Sequence, residues 1–142
     1  MTAAPLSGAV AGAFARYPAP VRAQLLDIRE MIFVVARETE GVGTLTEAVK
    51  WGEPAYLTEE SRSGATIRLG VSRLAPQNAA IFFNCKTTLV ETFRTHFAEV
   101  FDFEANRALI VPSSAQLPEE PLVLCLRAAL TYHRQKRIGQ KP

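Results

Sequence analysis

The seven residues from Lys50 to Tyr56, K-W-G-E-P-A-Y, concentrate more chemical potential than any other stretch of the chain. They hold its single tryptophan, a cation, a carboxylate and a phenol. Trp51 and Tyr56 can each offer an apolar ring with a polar handle, and Lys50 and Glu53 can orient a polar ligand. Arg68, on the polar side of a later strand, adds a possible partner for an anion. The ligand-binding candidates are therefore Lys50, Trp51, Glu53, Tyr56 and Arg68. A second reading fits the same residues: Gly52 and Pro54 stop a helix, Trp51 plugs the edge of the core and Glu53 faces water.

Other chemistries find less material. Cys85 follows a strand and precedes a helix start, where a thiol gains acidity from the helix terminus and from Lys86. A catalytic cysteine needs a histidine beside it in space. The two histidines, His96 and His133, fall on different helices, and neither has a second ligand at metal-binding spacing. The carboxylate pairs Glu59-Glu60 and Glu119-Glu120 are sequence neighbours whose side chains diverge. No phosphate loop, dinucleotide fingerprint or nucleophile elbow is present. No catalytic residue, metal ligand or cofactor is assigned.

Composition narrows the setting. The 142 residues suit one domain, with 48% hydrophobic and 21% charged residues. A net charge of +2 gives no general attraction to nucleic acid, and the basic ending from His133 to Arg137 reads as a helix end matched to its dipole. Cys85 and Cys125 are too few for a disulfide framework, so two reduced thiols and a cytoplasmic setting are expected. The first fifteen residues lack the basic start of a secretory signal, and no apolar run has membrane-spanning length. Expected partners are a small molecule or a protein, with no nucleic acid and no membrane; monomer and homodimer both remain open.

The elements that must hold these residues follow from periodicity. Val21, Leu25, Ile28, Ile32 and Val35 stripe a helix over Pro20 to Arg37. Thr44-Leu45-Thr46-Glu47 has capping-box spacing, which predicts a short second helix closed by Gly52 and Pro54. Strands are expected at Ala55–Thr58, Ile67–Ser72 and Ala80–Phe83, the last apolar on both faces. A second capping box, Thr88 to Glu91, opens a helix to Phe97. A hairpin follows over Phe101–Phe103 and Ala108–Val111, and a last helix runs from Glu119 to Lys136. The longest loop candidate is Pro112–Gln116. The expectation is an α+β domain: a curved antiparallel sheet of about five strands, with N- and C-terminal helices packed on one face. The domain spans residues 14–137, between flexible termini at 1–13 and 138–142.

In this order, Y-P-A-P-V-R-A-Q-L-L-D-I-R-E-M-I, E-A-V-K-W-G-E-P-A-Y, A-A-I-F-F-N and A-L-I-V-P followed by L-P-E-E-P-L resemble the YdhG-like domains. These are a bacterial family of small domains of unknown function. The resemblance covers about Phe14 to Arg134, and K-W-G-x-P-x-Y is its most specific part. It implies an α+β fold with a curved antiparallel sheet and no agreed catalytic residues. One member has been proposed as a frataxin-like iron chaperone, which makes iron donation the alternative to a small-ligand or partner-binding module. An enzyme using Cys85 is the third reading.

Overall fold

The computed structural model describes residues 5–112 and 116–139. Helix α1 spans Gly8–Ala15 and buries Val10, Ala13 and Phe14 against the first two strands. This corrects the expected flexible lead-in over residues 1–13, of which 1–4 lie outside the described residues. The helix escapes periodicity because its residues are small or apolar all round, so no polar stripe marks its outer face. Helix α2, Ala19–Glu38, buries the expected stripe and also Arg29.

The largest correction concerns Thr44 to Lys50. It forms strand β1 (Thr46–Lys50), not a helix, and pairs antiparallel with β2 (Glu53–Leu57). Trp51 and Gly52 make the two-residue turn, with φ of +56° and +78°. Gly52 does adopt the left-handed conformation, but within a hairpin whose twist demands it at both positions. Glu47 turns to the helical side of the sheet instead of reaching back to Thr44. Pro54 is tolerated inside β2 because it sits opposite Val49, next to the pair that closes the turn. Its nitrogen therefore points away from β1, and the ladder to the next strand begins only at Ala55.

Strands β3 (Ile67–Val71) and β4 (Ala79–Phe82) follow, then helix α3 (Leu89–Phe97) and the hairpin of β5 (Asp102–Glu104) and β6 (Ala108–Val111). Among the described residues the sheet has six strands, one more than expected from β1. It is antiparallel throughout, in the order β1-β2-β3-β4-β6-β5. The capping box expected at Thr88 does not form. The Thr88 N–H instead donates to the Tyr132 hydroxyl at 3.1 Å.

The last helix divides at Thr131 into α4 (Glu119–Leu130) and α5 (Tyr132–Gly139). The loop after β2 causes the break. The Ala65 N–H donates to the Ala129 carbonyl at 2.8 Å, and the Ser63 hydroxyl to the Leu130 carbonyl at 2.7 Å. Gly64 lies so close that a Cβ there would meet the Leu130 backbone at 2.5 Å. Within the Pro112–Gln116 loop, residues 113–115 lie outside the described residues, as do 140–142 of the expected C-terminal tail.

Helices α1 to α4 share one apolar core with a single face of the sheet, through Tyr56, Ile67, Leu69, Ile81 and Leu109 among others. Among the described residues, the opposite face carries no helix and a small apolar cluster of Ala80, Phe82, Ala108 and Ile110. The chain is thus the α+β domain expected, with an open sheet covered on one side.

One ionic network joins the layers. The Arg29 guanidinium donates to both Glu47 oxygens, Nε to Oε2 at 2.6 Å and Nη2 to Oε1 at 2.9 Å. The Tyr56 hydroxyl donates to Glu47 Oε2 at 2.8 Å. Removing one member strands the others in a water-poor site. Glu47→Ala is expected to lower unfolding free energy by about 3–5 kcal/mol, and Tyr56→Phe by about 1 kcal/mol. Urea titration checks both; a loss for Glu47→Ala no larger than that for Tyr56→Phe would show that the pair does not fasten the layers.

Candidate functional site

The open face of the sheet carries a trough of about 410 Å³. Lys50 and Trp51 line it from the β1–β2 turn, Arg68 from β3 and Arg107 from the residue before β6. Thr66, Asn84 and Cys85 line it as well. Three of the five sequence candidates, Lys50, Trp51 and Arg68, thus meet at one cavity.

Trp51 is 89% exposed, so it does not plug the core. Its left-handed φ costs a bulky side chain about 1–2 kcal/mol, and turns of this kind favour Asn or Gly. Burial does not offset that strain. A strained, exposed tryptophan beside a cavity is the kind of outlier that marks a functional position. The Arg16 guanidinium donates to the Gly52 carbonyl and ties the turn to the end of α1.

Arg68 stands opposite Phe82 in the β3–β4 register. The guanidinium carbons of Arg68 and Arg107 lie 5.7 and 5.9 Å from the centre of the Phe82 ring. One buried ring therefore carries two cations. The Arg107 main chain is fixed by the Phe83 N–H, which donates to its carbonyl at 2.8 Å. Glu53 neighbours this arrangement and accepts from Arg68 Nη1 at 3.0 Å. It lies over Gly70, where a Cβ would meet the carboxylate oxygen at 2.8 Å. Burial raises the Glu53 pKa above the usual carboxylate range, against the opposing pull of Arg68, Arg73 and Arg107.

Tyr56 does not belong to the site. It points to the helical face, fully buried, edge-on to Phe33 at 5.7 Å. Burial, followed by the Glu47 carboxylate, pushes its phenol well above the ordinary range. Neighbours in a strand face opposite sides, and Tyr56 falls out of phase with Glu53 and Ala55.

Sequence reasoning missed Arg107, which lies in a hairpin turn far along the chain. Its only signal was a cation flanking a fully apolar strand. The sequence marks Cys85 as a candidate nucleophile; in the structure it forms part of the wall of this cavity. It is exposed, whereas Cys125 is buried, which pushes that thiol up to about 12. His96 lies beside Phe97 on α3, and His133 beside Tyr132 on α5. Among the described residues, no three His, Cys, Asp or Glu side chains gather as a metal site. Glu119 and Glu120 open α4, and Glu60 accepts from the Thr44 N–H.

Trp51→Asn is expected to raise unfolding free energy by about 1 kcal/mol, because Asn tolerates the left-handed turn. A urea midpoint that falls instead would mean that the indole packs against the fold. For the thiols, Ellman's reagent should modify Cys85 in the native protein and Cys125 only after unfolding. Two thiols reacting at one rate would contradict that placement.

No family model, curated protein or solved structure matches this chain.

Proposed function

We propose that this chain is a small-ligand-binding module of the YdhG-like type, without catalytic activity, and that the trough on the open face is its binding site. The observation that carries this reading is Trp51: exposed, held in a strained turn, and lining a cavity with Lys50, Arg68 and Arg107. The cavity volume falls within the range of small-molecule sites. Rigid strands position Arg68 and Phe82, while the turns supply Trp51 and Arg107, the usual division between scaffold and recognition. An α+β domain on an antiparallel sheet is what the resemblance implies, and it supports that assignment.

Catalysis by Cys85 has less support. Cys85 lines the trough, but among the described residues neither histidine hydrogen-bonds to it. Iron donation has no clustered carboxylates to rest on among the described residues. A cytoplasmic setting agrees with two unpaired thiols. Among the described residues, no helix is long and apolar enough to cross a membrane.

Native mass spectrometry of the freshly purified protein tests the reading. The expected spectrum shows a discrete organic adduct that denaturation removes and that Trp51→Asn depletes. An adduct matching iron would favour the iron-donor reading. A bare mass, together with unchanged Trp51 emission across a library of small metabolites, would sink the binding-module reading.

A further inference from the structure

The charge balance of the trough restricts what can occupy it. Lys50, Arg68 and Arg107 bring three cations to one cavity, and among the described residues the carboxylate ion-paired with any of them is Glu53, on Arg68. Lys50 and Arg107 have no ion-pair partner among the described residues. Two positive charges are therefore left over in a recess lined by the buried Phe83 and by the exposed indole of Trp51.

From this geometry we infer, resting on the binding-site reading above, that the trough takes a phosphate monoester carried on a flat ring. A phosphate monoester holds close to two negative charges at neutral pH and presents three acceptor oxygens. Guanidinium groups recognise such oxygens through paired N–H donors, and a lysine adds a mobile point charge. Arg68 and Arg107 are suited to that role because stacking on Phe82 restrains them before a ligand arrives. A singly charged carboxylate would leave one of the surplus cations unmatched. The flat ring of the ligand would stack on Trp51, which is exposed at the cavity edge and has no other aromatic neighbour within stacking range among the described residues. Glu53 acts against the ligand: it holds Arg68 and repels the incoming phosphate.

The test is a calorimetric titration of the intact chain with phenyl phosphate, and with benzyl alcohol as a neutral probe of similar size. Phenyl phosphate should bind, and added salt should weaken it. Lys50→Gln and Arg107→Gln should each weaken it by roughly tenfold. Lys50 is exposed on the turn, so its variant keeps the test valid should Arg107→Gln disturb the Phe82 cluster. Glu53→Gln should tighten binding severalfold, a gain that a merely structural role for Glu53 does not predict. Three outcomes overturn the inference. Benzyl alcohol binding as tightly as phenyl phosphate would remove the anion class and leave the binding-site reading intact. Phenyl phosphate binding that ignores both Lys50→Gln and salt would place the anion elsewhere. No heat with phenyl phosphate up to about 10 mM, a very weak limit, would remove the phosphate class. In that case an organic adduct in native mass spectra would still preserve the site, and a bare mass with unchanged Trp51 emission would remove both.

Discussion

The contact between Arg29 and Glu47 sets the terms for the rest of the molecule. Both side chains are nearly withdrawn from water. Such a pair adds little net stability over an apolar substitute, because desolvation opposes the attraction. Its force lies in what it forbids. Strand side chains alternate between faces, so a slip of one residue would turn Glu47 to the open side and take its carboxylate away from the buried Arg29 guanidinium. A helix over Thr44 to Lys50 would forfeit the pairing with β2 and the Tyr56 hydroxyl as well. The pair thereby fixes the register of β1 on β2 and the rotation of α2 above them. The position of the Lys50-Trp51-Gly52 turn is a result of that register.

Elements whose residues repeat on one face could be read in the sequence. The stripe of α2 is plain, and so are the alternation of β3 and the apolar run of β4. The segment from Thr44 to Lys50 was misread because capping-box spacing and strand alternation occupy the same letters. The deciding contact, from Glu47 to Arg29 eighteen positions earlier, is invisible to any local pattern. The same holds at Thr131, where a continuous helical pattern is interrupted by Ser63 and Ala65, loop residues that take the carbonyls ending α4. Residue type pointed to Lys50, Trp51 and Arg68, and the sheet brings them to one cavity. Tyr56 was grouped with them by proximity in sequence, but alternation sent it to the other face. Arg107 joins them only through the β4–β6 pairing, and no spacing rule reaches that far.

The trough exists because, among the described residues, no helix lies over the second face of the sheet. A bare face with an apolar centre would ordinarily invite association. Here Arg68 and Arg107 lie across Phe82, and Glu53 fills the space left by Gly70. The same guanidinium groups that shelter the ring are the ones that face the cavity. Shelter and recognition are therefore two uses of one stacked arrangement.

The one-sided core has a consequence for how such a protein can change over generations. Residues that maintain the fold are gathered under the helices, where almost any alteration is felt by close-packed neighbours. Most residues around the trough stand on turns and strand ends that the core does not touch. Lys50, Trp51 and Arg107 can be exchanged without repacking α1 to α4. Descendants of one ancestral chain could thus diverge in what they hold while keeping the same architecture. Lineages would then share the hidden half of the sheet and differ in the visible half.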